Sequence, residues 1–271
     1  MAKISNEDRH QYFEKIKPYK SNIQSLLKRE QLLLQTIKKE SHGAAFKRLT
    51  MAEEMVFLAS NYIIISGISQ SMLKQRNEEA LNDGRKSLYK AVIYLEEVVS
   101  PLVDVPFSEY EEKLAEISPL DAKRRYSLIK KIGLALQLLE DAYGDNTKWK
   151  WAFVELEGRF AVVAKNIIDL KAAVVNTDPR SPDYEPTVYH LRMMKKLLLQ
   201  AADRYREKYE LSTNRVDDFR MGIHFLNSLR RIHALLGERE NAETVKKKAE
   251  IWSSKLEVDL KKQEESALKR I

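Results

Sequence analysis

The chain has 271 residues, of which 44% are hydrophobic and 32% charged, enough apolar material for a sizeable interior under a surface dense in charge. It holds no cysteine, which excludes disulfides, thiolate zinc sites, iron–sulfur clusters and cysteine nucleophiles. A net charge of +7, from 47 basic and 40 acidic residues, permits nucleic acid or an anionic membrane as partner without demanding either.

With 8 glycines and 7 prolines the chain carries about half the usual share of turn-formers, which favours long helices over many short strands. A short helix is predicted over Glu7 to Ile16 and is ended by Pro18. The next carries Ile23, Leu26, Leu27, Leu33, Leu34 and Ile37 on one stripe, with Lys28, Arg29, Glu30, Lys38 and Lys39 outside it. Gly43 breaks the chain before a long apolar helix from about Ala45 to Arg76. Its most apolar part, Met55 to Ile68, is interrupted by Ser60, Asn61, Tyr62 and Ser66. That part is shorter than the roughly 20 apolar residues a bilayer crossing needs and reads as a central buried helix.

Asn82-Asp83-Gly84 is a turn signal, followed by a helix over about Lys86 to Val99 that buries Leu88, Ala91, Val92, Leu95 and Val98. Pro101 and Pro106 mark a loop. A short helix at Ser108 to Glu116, capped by Ser108 and Glu111, leads to one that begins at Ser118-Pro119 and reaches Tyr143. After the Gly144-Asp145-Asn146 turn, a helix is predicted from Trp149 to Val175. A second proline loop (Pro179, Pro182, Pro186) precedes helices over Thr187 to Leu211, Asn214 to Leu236 and Asn241 to Lys269. The interior glycines Gly67, Gly133, Gly158 and Gly222 each cost a helix about 1 kcal/mol, which predicts close helix–helix contact at each.

The expected fold class is therefore all-α: long antiparallel helical hairpins stacked as a bundle or short solenoid. Turns near Gly84, Gly144 and Ser212-Thr213 recur about 60 to 70 residues apart. Residues 1–271 read as one helical domain or array, with 1–100, 107–176 and 186–271 as candidate sub-units.

Residues Leu226 to Ala249 resemble a tetratricopeptide-repeat hairpin. Gly237 stands at the turn, Ala242 and Ala249 at the positions kept small for helix packing, and Leu226 and Leu229 at the apolar positions of the first helix. Arg230, His233 and Lys246 depart from the pattern, and a looser echo occurs at Ala91, Leu95 and Val98. The resemblance covers about 30 residues and implies a helical module that binds other proteins.

No catalytic set emerges. Glycines lie singly, so no phosphate-binding or dinucleotide loop is present, and no nucleophile elbow. Glu7 and His10 form the one Glu-x-x-His pair, where a di-metal bundle needs two; His42, His190, His224 and His233 are scattered. No cofactor and no metal site is expected. Asn61 and Tyr62, polar among apolar neighbours, are the candidates for a small-molecule site, and structural hydrogen bonding explains them equally well.

Two surfaces stand out instead. Trp149, Trp151 and Phe153 crowd one helix: either that helix is central and packed on two sides, or these are the candidate partner-binding anchors, since tryptophan and tyrosine dominate interface hot spots. Lys123, Arg124, Arg125, Lys130 and Lys131, with only Asp121 nearby, are the candidate anion-binding cluster. The expected function is a non-enzymatic scaffold or adaptor that mediates protein–protein interaction, with homo-oligomerisation compatible. The alternative is binding of RNA or an anionic membrane through the basic helix faces. The first ten residues carry no apolar h-region, which is the expectation for a cytoplasmic protein without a signal peptide.

Overall fold

The structure is a computed structural model of the chain, described over residues 5–40, 42–144 and 147–268, with the side chains of 263, 264 and 266–268 excepted. Among these residues there is no strand. Ten α-helices follow one another: α1 (Asn6–Lys39), α2 (Ala44–Leu73), α3 (Glu78–Val98), α4 (Glu111–Ala115), α5 (Ala122–Tyr143), α6 (Lys150–Asn166), α7 (Leu170–Val175), α8 (Tyr184–Lys208), α9 (Val216–Leu235) and α10 (Arg239–Leu268). A 3₁₀ turn lies at Phe107–Glu109 and a π turn at Tyr209–Thr213. The chain is all-α, as its composition and periodicity predict.

Contacts divide the chain into two compact units that do not follow chain order. One comprises Met1–Ser100 and Lys113–Lys150, the other Pro101–Glu112 and Trp151–Ile271. The stretch 107–176 is thus shared between the units: α5 packs with α2 and α3, whereas α6 from Trp151 onward belongs to the second.

In the first unit, α1 runs unbroken through Pro18. Proline removes one ladder bond, but Pro18 is exposed, so water can serve the carbonyl it leaves, and Tyr12, Ile16 and Ile23 hold the helix to its neighbours from both sides of it. Ser5 and Asp8 close a capping box at its start. Glu30 is buried on this helix, and its carboxylate accepts from Lys90 Nζ at 2.9 Å and from the Tyr94 hydroxyl at 2.5 Å. A buried charge is tolerable when it is paired and hydrogen-bonded in this way, and the pairing ties α1 to α3. Burial, followed by the Glu30 carboxylate, pushes the Tyr94 phenol well above its ordinary range.

The turn predicted at Asn82–Gly84 does not form; these residues lie inside α3. The chain reverses earlier, where Lys74 is left-handed and Asn77 caps α3 by accepting from the Ala80 amide. Gly84 serves packing instead: a Cβ there would sit 3.4 Å from Tyr62 Cβ, 3.5 Å from Leu139 Cδ1 and 3.6 Å from the Ala59 carbonyl. Helix α5 begins later than Pro119, at an Asp121 cap that accepts from the Arg124 amide at 2.7 Å. The predicted Ser108–Glu111 cap is not made either, because Phe107–Glu109 winds as a 3₁₀ turn.

The second unit is built on α8, α9 and α10, packed in sequence, with α6 contributing Val154, Ala161 and Val162 to their core. The helix predicted over Trp149 to Val175 breaks after Asn166, and Asp169 caps α7. Close approach at Gly158 and Gly222 is as expected. A Cβ on Gly158 would lie 2.6 Å from Tyr205 Cε2, and one on Gly222 would lie 3.0 Å from the Ala202 carbonyl. Gly67 has open space around it, so no helix contact accounts for it. Phe219 packs between Tyr209, stacked at 4.9 Å, and Trp252 at 5.7 Å. The α9–α10 turn contains Gly237 at φ +74°, a conformation that favours glycine.

Helix α2 is long and apolar enough, by length and composition, to cross a membrane, with a mean hydropathy of 1.4 in its most apolar window. A core helix passes the same test. Here α2 packs against α1, α3 and α5, and Met51, Ala52, Met55, Leu58 and Ala59 are fully buried among them.

Candidate interaction surface

The aromatic trio is divided between the two units. Trp149 precedes α6 and belongs to the first unit, where the Arg85 guanidinium lies 4.1 Å above its ring. Trp151 is half-buried and packs against the core of the second unit. Phe153 is 1% exposed, so it is a core residue and cannot anchor a partner. The spacing of four between Trp149 and Phe153 implies a shared face only if both are helical, and α6 starts at Lys150.

The basic cluster is also reduced. Arg125 is buried: its Nε donates to the Leu120 carbonyl at 2.7 Å and its Nη2 to the Ile117 carbonyl at 3.1 Å. It secures the turn before α5 and is withdrawn from the candidate anion site. Lys123, Arg124, Lys130 and Lys131 remain exposed. Arg124 lies 3.8 Å from Asp121, and Lys131 pairs with Glu53 of α2 at 3.4 Å.

Asn61 and Tyr62 take structural roles. The Asn61 side chain donates to the Phe57 carbonyl one turn back in α2 at 2.7 Å and accepts from Asn22 of α1 at 3.4 Å, so both of its polar atoms are bonded and one of them joins α1 to α2. Burial, then the Asp83 and Glu79 charges, raise the Tyr62 phenol. His190 Nε2 bonds the Ala164 carbonyl at 2.8 Å, and His233 pairs with Glu238. Burial opposes ionisation of Glu238, yet its bonds to Lys195 and His233 prevail and lower it. No group of metal-ligating side chains occurs among the described residues.

The first unit exposes apolar side chains on two adjacent helices, one of them the helix expected to be central and buried. On α2, Phe57 is 54% exposed and Ile64 42%; on α5, Leu134 is 55% exposed and Leu138 47%. Glu53, Phe57, Ser60, Ile64 and Gly67 recur every three or four residues on α2, as do Lys131, Leu134, Leu138 and Asp141 on α5, so each set is one helix stripe. The Glu53–Lys131 pair joins the stripes at one end, and Gly84 touches both Ala59 and Leu139 further along. The two helices therefore run side by side in the same direction. Their outward stripes border a single surface.

Over residues 8–260 the sequence matches one family. The chain belongs to the TP0443 family. No curated protein and no solved structure matches it. Since the TP0443 family match covers nearly all of both units, it applies to the α2–α5 face and to the second unit alike.

Proposed function

We propose that the chain is a non-enzymatic helical scaffold that acts by protein–protein contact, and that the α2–α5 face of the first unit makes that contact. The observation that carries this is the set Phe57, Ile64, Leu134 and Leu138, four large apolar side chains held about half exposed on adjacent helices. Contiguous apolar surface of this kind marks an interaction site, whereas apolar residues scattered singly do not. The rim is charged, with Glu53 and Lys131 at one end, as in protein interfaces that surround an apolar centre with polar residues. For the α9–α10 hairpin, the positive φ of Gly237 and the burial of Leu226, Leu229 and Ala249 support a tetratricopeptide-like role in the same scaffold.

The test is a pull-down from native lysate, at low and at high salt, with the wild-type chain and with a Phe57→Ser/Leu134→Ser variant. Both substituted side chains are about half exposed, so circular dichroism should be unchanged. Proteins retained at high salt by the wild type and lost from the variant support the proposal. Identical captures from both chains would sink it. Nucleic acid or lipid captured only at low salt would favour the alternative, binding of RNA or an anionic membrane through Lys123, Arg124 and Lys130, because such binding falls steeply with salt.

A further inference from the structure

We propose that the occupant of the α2–α5 face is a second copy of this chain, docked about a two-fold axis that crosses α5 near Leu136. This rests on the assignment of that face as the interaction surface and names its partner.

A two-fold contact requires the surface to be complementary to itself: residue i meets residue j, and j meets i. The exposed stripe of α5 has this property about position 136. Leu134 and Leu138 lie two residues to either side, and Lys131 and Asp141 lie five to either side. With two α5 helices antiparallel across the axis, Leu134 of each copy meets Leu138 of the other. Each Lys131 then faces an Asp141. The apolar pairs occupy the centre and the ion pairs the rim, which is how protein interfaces are built. Asp141 is exposed and makes no ion pair among the described residues, so it is available to the second copy. Lys131 is exposed too, and its pairing with Glu53 at 3.4 Å leaves its ammonium other donor positions.

Helix α2 brings Phe57 alongside the same axis. Lys131 stands level with Glu53 and the helices run the same way, so position 136 of α5 falls about one and a half helical turns past Glu53, beside Phe57 and Leu58. Phe57 therefore adds exposed apolar surface at the height of the Leu134–Leu138 pairs. Opposite charge at the two ends of the stripe excludes the parallel arrangement, which would set Lys131 against Lys131 and Asp141 against Asp141.

The experiment is sedimentation velocity on the purified full-length chain over a wide dilution series, with Lys131→Asp and Asp141→Lys as single variants and as an equimolar mixture. Wild type should show a concentration-dependent dimer. Each single variant alone places two like-charge pairs in the contact and should weaken dimerisation by about 100-fold. Mixing the two variants opposes the charges again at both ends and should restore the dimer, which also proves both variants folded. A wild type that stays monomeric overturns the inference, as does a dimer that survives in both single variants or a mixture that fails to recover. If the wild type is monomeric while Phe57→Ser/Leu134→Ser still loses a captured protein, the inference falls and the scaffold proposal stands. A monomer whose face is covered only by anionic vesicles removes both.

Discussion

The buried amine of Lys165 supplies the sharpest thermodynamic test of the second unit. It is 2% exposed, donates to the Val103 carbonyl at 2.8 Å and lies 5.4 Å from the Tyr110 ring. Burial pulls its pKa down from 10.5 to about 8; nearby Asp104 works against the shift and Arg231 adds to it. Between those two values the unfolded chain holds a proton that the folded chain has released, so stability rises with pH across the window. Below pH 8 both states are charged and the full cost of the buried charge remains. Integrating over the two pKa values gives a gain of about 2.5 kcal/mol between pH 7 and pH 10. Urea unfolding at a series of pH values, read from Trp151 and Trp252 in a Trp149→Phe background, measures it. A Lys165→Met chain keeps the stem and loses the proton. Relative to that chain, the wild type should gain about 2.5 kcal/mol across the window. Parallel profiles for the two chains would refute the assignment of a buried, desolvated amine at this position.

Pro18→Ala should stabilise the first unit by about 1–3 kcal/mol in thermal or urea unfolding, since proline interrupts a helix that continues on both sides of it. Gly158→Ala should destabilise by about 1–3 kcal/mol, because the added methyl would meet the Tyr205 ring at 2.6 Å. Gly84→Ala, whose methyl finds ordinary contacts at 3.4 Å and beyond, should be neutral or stabilise by up to about 1 kcal/mol. Arg125→Met should cost about 2–3 kcal/mol by leaving the Ile117 and Leu120 carbonyls without their donors, and should leave any affinity for anionic vesicles unchanged.

What was legible in the fold is what periodicity encodes. Leu88, Ala91, Val92, Leu95 and Val98 predict the buried face of α3, and all five are buried. Punctuation was less dependable, because one residue type serves several physical ends. Pro18 reads as a stop, yet on an exposed face its missing bond is affordable to a helix fixed by Tyr12 and Ile23. Asn82-Asp83-Gly84 reads as a turn, yet Gly84 lies inside α3, where α2 and α5 pack against it at ordinary contact distance. Those neighbours lie more than 20 residues away in the chain, so no local window contains the reason. The real turn rests on Lys74 in a left-handed conformation and on the Asn77 cap, a signal present in sequence but outcompeted by the stronger glycine cue.

The site was legible only at its edge. Lys130 and Lys131 are exposed as a charge cluster predicts, while Arg125, in the same run, points inward to carbonyls that exist only once the turn before α5 is folded. Trp149 and Phe153 stand four apart in the sequence, and the start of α6 at Lys150 leaves Trp149 outside the helix that carries Phe153. The α2 stripe was hidden for a different reason. A helix apolar all round gives no contrast between a core face and a surface face, so Phe57 and Ile64 are indistinguishable in sequence from Met55 and Leu58. Three neighbouring helices cover three sides of α2. The fourth side is left to water, and a helix buried on every side by its own chain would have no such face. That Phe57 and Ile64 nonetheless stand on it is what a covered surface would require, and the self-complementary order of Lys131, Leu134, Leu138 and Asp141 beside it says what should cover it.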